Sequence, residues 1–110
     1  MRKILTVCSR GNSRSVALAY LLKDGLDFDA IAIGVDSASN DTKDMLYRWA
    51  DLIIVVHDEL APSIPQEFHD KMRIWNVGPD RYFRGFEQDL INQYRDYMRG
   101  EGWVLDRTDL

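Results

Sequence analysis

The residues best able to do chemistry sit together near the amino terminus, in Val7-Cys8-Ser9-Arg10-Gly11-Asn12-Ser13-Arg14-Ser15. Cys8 is the single cysteine of the chain, and a thiolate is a strong nucleophile. Arg14 follows six positions later, near enough to curl over the loop and hold an oxyanion in bidentate fashion. Gly11 permits backbone angles that other residues resist. Ser15 can donate a hydrogen bond to a thiolate and favour its charged form. A strand-like run leads into this loop and a helical pattern leads out of it, so the amides after Cys8 open a helix. Unpaired N–H groups at a helix start, together with the helix dipole, bind anions. The same field favours thiolate over thiol. A thiolate facing a bound phosphate, with a guanidinium across its oxygens, is a phosphoryl-transfer nucleophile with its transition-state clamp. The plainer reading makes Cys8 a small buried hydrophobe at a strand end, but it gives Gly11, Arg14 and Ser15 no reason to accompany it.

Expelling an alkoxide or phenoxide from phosphorus needs a proton donor. Asp80 is the candidate acid, in the turn signal Gly78-Pro79-Asp80. Alone it would be an ordinary turn residue; beside the Cys8 loop it acquires a role. Tyr82 and Phe83 follow and can flank an aromatic ring. The remaining candidates read as structural. His57 and His69 are strand-end or surface residues, and Asp58 is a helix cap. Trp49, Trp75 and Trp103 belong to the core or dock a tail.

The elements that must position these residues follow from hydrophobic periodicity. Lys3 to Val7 reads as a buried strand. Arg14 to Lys23 reads as a helix with Val16, Leu18, Ala19, Leu21 and Leu22 on its apolar face, stopped by Gly25. Phe28 to Val35 is a second strand, Asp36 to Asp41 a loop with capping residues, and Thr42 to Trp49 a short helix. Asp51 to Val56, a continuous apolar run behind an Asp, fits a central parallel strand. Asp58 to His69 carries prolines and suggests short helical turns. Arg73 to Val77 is a fourth strand, and Gly85 to Met98 a last helix bearing Tyr94, Tyr97 and Met98 on its packed face. The mixed charges from Arg95 to Glu101 suggest a solvated face. Residues 100–110 form a carboxyl-terminal tail in which Trp103, Val104 and Leu105 can dock. Strands alternating with helices predict an α/β fold: one four-stranded parallel sheet flanked by helices, with right-handed crossovers. Ligands of such sheets bind at the carboxyl ends of strands where strand order reverses, and the Cys8 loop sits at one such end.

Composition narrows the partners. A chain of 110 residues suits one domain spanning 1–110. One cysteine excludes an internal disulfide, and one cysteine with two histidines argues against structural zinc. No apolar run approaches the roughly 20 residues of a membrane span. A net charge of −4 argues against general nucleic-acid or anionic-membrane binding. The apolar start of the chain ends at Cys8, with charge returning at Arg10, so it reads as a strand and not an export signal. A free cysteine without such a signal points to a reducing cytoplasm.

Taken together, these segments resemble the low-molecular-weight protein tyrosine phosphatases, as a shortened and divergent member. The resemblance begins with the Cys8 to Ser15 loop. It continues through Val35-Asp36-Ser37-Ala38, similar to the family's serine-bearing segment, and through Ala50 to Asp58, similar to its third strand and acidic end. It closes with Pro79-Asp80-Arg81-Tyr82-Phe83 and Gly85-Phe86-Glu87, similar to its acid loop and last helix. The resemblance implies a flavodoxin-like four-stranded parallel sheet, no metal and no cofactor. It implies Cys8 as nucleophile through a cysteinyl-phosphate, Arg14 as clamp, and Asp80 as acid and later base. Ser9, Arg10, Gly11, Asn12 and Ser13 would complete the phosphate-binding loop, with Ser15 and Ser37 supporting it and Tyr82 and Phe83 forming the substrate wall. Arg10-Gly11 stands where the family usually has Gly-Asn, and the stretch from Ser37 to Ala50 is shorter than its usual wall loop. The substrate implied is phosphotyrosine protein or a small aryl phosphate. Three alternatives stay open. An arsenate reductase would need an external thiol, since Cys8 has no partner cysteine. A phosphoryl carrier would need neither Arg14 nor Asp80. A catalytically weak module would bind phosphate or phosphoprotein without turnover.

Overall fold

The computed structural model describes residues 2–10, 13–78 and 88–103. Four strands, β1 (Lys3–Cys8), β2 (Asp29–Gly34), β3 (Leu52–Val55) and β4 (Met72–Ile74), form one parallel sheet in the order β2-β1-β3-β4. Three α-helices accompany them: α1 (Arg14–Leu26), α2 (Asn40–Trp49) and α3 (Gln88–Gly100). Two 3-10 segments, Asp58–Ser63 and Gln66–Lys71, lie between β3 and β4, where the sequence suggests short helical turns.

The two central strands are buried along almost their whole length. In β3 all four residues are buried, and in β1 only Lys3 is not fully so. That is the pattern of strands covered on both faces. Register locks them: Val7 lies beside both Ile33 and Val55, and Cys8 beside Gly34. The chain leaves β1 through α1 to reach β2 on one side. It then returns through α2 to reach β3 on the other. Right-handed crossovers therefore put α1 and α2 on opposite faces, and α3 packs against α1. The strand order reverses between β1 and β3, at the carboxyl end of β1.

Several boundaries differ from the sequence reading. Gly25 does not stop α1; it is buried inside the helix, which runs on to Leu26. Asp27 ends it instead, in the left-handed region at φ 58, with its N–H bonded to the Leu22 carbonyl. A short polar side chain tolerates that conformation, so Asp does what Gly more often does. Val16 is 39% exposed and belongs to the outer face of α1. The cap of the first 3-10 segment is His57, not Asp58, and His57 makes no side-chain cap bond. Asp58 lies in the first turn, its carboxylate 3.4 Å from His57 Nε2. The stretch from Arg95 to Glu101 is only partly solvated. Arg99 and Asp96 pair in the open at 2.7 Å, but Glu101 reaches back to Arg73 at 3.3 Å, and Arg95 is half-buried.

The last helix anchors the lower part of the sheet through rings. Gly102, at φ 80, reverses the chain so that the Trp103 N–H donates to the Met98 carbonyl at 2.8 Å. Trp103 then meets Phe28 edge-on at 5.2 Å and Trp75 at 5.6 Å, while Trp75 stacks on Tyr97 at 5.5 Å. Docking of the tail by Trp103 is therefore seen; Val104 and Leu105 lie outside the described residues.

Candidate active site

Cys8 is the last residue of β1, and only 2% of its surface is exposed. Its Sγ lies 2.9 Å from Ser15 Oγ in the first turn of α1, and Ser15 is itself fully buried. The chain between them is tied to the neighbouring strand. Val35 N–H donates to the Cys8 carbonyl at 2.9 Å, and Asp36 N–H to the Ser9 carbonyl at 2.8 Å. Ser37 Oγ donates to the Arg10 carbonyl at 2.8 Å. Ser37 is placed by a turn in which its own N–H and that of Ala38 both meet the Gly34 carbonyl, at 3.3 and 3.1 Å. The segment after β2 thus clasps the loop after β1 at three successive carbonyls.

The start of α1 differs from an ordinary capped helix. Its first turn contains no acidic residue, and Ser13 at the cap position supplies no side-chain cap bond. The amides that open a helix carry partial positive charge. Two distant groups fix this turn. Thr6 Oγ1, fully buried in β1, donates to the Ser15 carbonyl at 2.7 Å. Tyr94 Oη, fully buried in α3, donates to the Arg14 carbonyl at 2.6 Å.

Among the described residues Arg14 is the largest fully buried polar side chain, 1% exposed. Its Nη2 donates to Ser9 Oγ at 2.9 Å and its Nη1 to the Gly78 carbonyl at 2.8 Å. Gly78 lies beyond β4 and is two residues before Asp80 in sequence. Val77, just before it, donates its N–H to the Val56 carbonyl at 2.9 Å. The described structure therefore gathers Cys8, Ser9, Arg10, Ser13, Arg14, Ser15 and Ser37 around one loop, with the segment leading to Asp80 reaching Arg14. Gly11, Asn12, Asp80, Tyr82 and Phe83 lie outside the described residues.

His57 and Asp58 follow β3 at the carboxyl edge of the sheet, with the His57 side chain largely buried. His69 serves structure: its Nε2 lies 2.7 Å from the Ile64 carbonyl. Among the described residues no cluster of His, Cys, Asp and Glu suits a metal ion. A cavity of about 270 Å³ along α2 is lined by Asn40, Lys43, Asp44, Tyr47, Ser63 and Pro65, none of them from the Cys8 loop.

Sequence reasoning missed three contributors: Thr6, Tyr94 and Gly78. Thr6 is a lone polar residue inside an apolar strand, which is a signal for a buried hydrogen bond. Tyr94 reads as a core residue, and nothing local marks its hydroxyl. Gly78 reads only as a turn.

No family model matches the sequence, and no curated relative matches it. Solved structures do. Tyrosine phosphatase amsI of Erwinia amylovora superposes with a TM-score of 0.69 at 20% identity, over 96% of this chain and 94% of that one. Wzb of Vibrio vulnificus, in complex with benzylphosphonate, gives 0.63 at 18% identity, over 86% and 90%. The YwlE arginine phosphatase of Geobacillus stearothermophilus gives 0.60 at 18% identity, over 92% and 95%. The chain therefore has the fold of the low-molecular-weight tyrosine phosphatases, with the Cys8 loop at the point where its strand order reverses.

Proposed function

We propose that the chain is a metal-independent phosphomonoester hydrolase that works through a cysteinyl-phosphate. The observation that carries this reading is the meeting of Cys8, Ser15 and Arg14 at the start of α1. Cys8 Sγ attacks phosphorus as the ester P–O bond breaks and an S–P bond forms. Asp80 gives its proton to the departing oxygen. Arg14 and the loop amides hold the non-bridging oxygens as charge redistributes. Ser15 donates to the sulfur and stabilises it as thiolate, both before attack and as the later leaving group. In the second half, the Asp80 carboxylate takes a proton from water, the water oxygen attacks phosphorus, and the S–P bond breaks. Phosphate leaves and Cys8 is a thiolate again.

Protein phosphotyrosine or a related aryl phosphate is the substrate class we infer. Support comes from the shared fold and from a neighbour solved with a phosphonate that carries a benzyl ring. A second neighbour is an arginine phosphatase, so phosphoarginine belongs in the substrate panel. The reaction needs Cys8 reduced, which a reducing cytoplasm provides. No described helix is long and apolar enough to cross a membrane.

Phosphate release from an aryl and an alkyl phosphate, with a chelator present, tests the proposal. The wild type should turn over, Cys8→Ser should be inactive, and Asp80→Asn should lose most on the alkyl ester, whose leaving group needs the proton more. A wild type that binds inorganic phosphate without turnover would make the chain a binding module instead. An arsenate-reducing wild type that needs an external thiol would move the reaction class.

A further inference from the structure

We propose that Ser9 and Gly78 are positioning residues that hold the Arg14 guanidinium from two sides, so that the phosphate clamp is set by the segment leading to Asp80. This rests on the phosphatase reading above and adds to it two groups that touch Arg14 and not the reacting phosphorus.

Arg14 is 1% exposed, so protein groups decide its orientation. A guanidinium is planar, with its donors in a fixed fork. Bonds from Nη1 to the Gly78 carbonyl and from Nη2 to Ser9 Oγ therefore fix both its position and the rotation of its plane. One acceptor lies five residues from Arg14 in sequence and the other sixty-four. The clamp is thus referenced to the loop it serves and to a distant chain segment together.

Both acceptors are themselves held. The Ser9 carbonyl takes the Asp36 N–H at 2.8 Å. Beyond β4, the Trp75 N–H donates to Val55 at 2.8 Å and the Val77 N–H to Val56 at 2.9 Å, and Tyr97 Oη donates to the Asn76 carbonyl at 3.2 Å. Gly78 then turns at φ 90, which aims its carbonyl at Arg14. A Cβ there would meet nothing within 4 Å among the described residues, so Gly78→Ala acts through the backbone angle, which an L side chain resists at φ 90.

The test compares Ser9→Ala, Ser9→Thr and Gly78→Ala with wild type. It reads kcat and KM on an aryl phosphate, calorimetric binding of inorganic phosphate, and Tm. Ser9→Ala should lower kcat and weaken phosphate binding, each about tenfold, a smaller loss than deleting a direct donor, with Tm nearly unchanged. Ser9→Thr returns the hydroxyl and should recover both to within about twofold. Gly78→Ala should lower kcat more on an alkyl than on an aryl phosphate, because clamp and acid segment shift together. A merely structural role would move Tm and leave phosphate affinity alone. If Ser9→Ala keeps both constants within about twofold while Cys8→Ser is inactive, the positioning proposal fails and the phosphatase reading stands. If wild type binds phosphate without turnover, the phosphatase reading fails, and the Ser9→Ala effect on phosphate affinity still decides the positioning. If wild type neither binds nor reacts, both fail.

Discussion

The amino termini of α1 and α2 both follow strand ends at the same edge of the sheet, yet they are finished in opposite ways. α2 is closed by its own residues: Thr42 N–H donates to Ser39 Oγ at 3.2 Å, and Asp41 sits in the first turn against the dipole. α1 has neither device. It has instead a thiol, a buried guanidinium and a clasped loop in front of it. Packing differs in the same sense. α1 buries Arg14, Ser15, Ala17, Leu18, Ala19, Leu21, Leu22 and Gly25, whereas α2 fully buries Tyr47 alone. The helix whose terminus we propose receives the phosphate is the one held most firmly. An anion site works only if its donors are already in place, so rigidity belongs under α1, while α2 needs only to cover the opposite face.

Five comparisons, built on six substitutions, would break or sharpen this contrast. The largest effect is expected at Arg14→Lys, which keeps the charge but loses the fork; kcat/KM on an aryl phosphate should fall by at least about 10²-fold. An activity within tenfold of wild type would mean the guanidinium is not the clamp. Leu18→Ala in α1 should cost roughly 3 kcal/mol in urea unfolding, against less than about 0.5 kcal/mol for Met45→Ala in α2, where Met45 is 61% exposed. Equal losses would erase the difference in packing. Tyr94→Phe removes the donor to the Arg14 carbonyl and should cost about 1–2 kcal/mol. Because that carbonyl belongs to the turn that carries Arg14, kcat should fall as well, and an unchanged kcat would confine Tyr94 to stability. Ser39→Ala removes the α2 cap at about 1 kcal/mol and should leave kcat/KM untouched; lost activity would tie α2 to the reaction. The smallest effect is expected at Tyr47→Phe. Among the described residues the buried Tyr47 hydroxyl has no hydrogen-bond partner, so its removal should be neutral or slightly stabilising. Burial also raises the Tyr47 pKa above 10.0. The folded state then holds its proton where the unfolded chain releases it, so stability falls as pH rises past about 10. Tyr47→Phe should flatten that slope relative to wild type in alkaline denaturation, and identical slopes would refute the assignment.

How far the site could be read in advance depends on chain separation. Cys8, Arg14 and Ser15 belong to one turn of chain, so their types and spacing carry the geometry directly. The apolar runs of β1 and β3 likewise announce two-sided burial. Ser37 is visible only through the resemblance, and the structure shows its partner is the Arg10 backbone. The contacts of Arg14 with Gly78 and with Tyr94 span 64 and 80 residues. No local pattern encodes such pairs, because the fold alone decides which distant groups meet. The end of α1 differs from the expectation for a local reason. Gly25 is a better left-handed residue than Asp27, but it lies buried inside α1, and the left-handed residue that ends the helix is Asp27.

The bond from Ser37 to residue 10 has a consequence for how this loop can change. Its acceptor is a carbonyl, a group that every amino acid carries, so the clasp does not depend on which side chain stands at that position. Arg10 is exposed at the rim. Evolution or a protein engineer can therefore exchange it for an acid, an aromatic ring or a small residue and change the face the loop presents, without renegotiating how the loop is held.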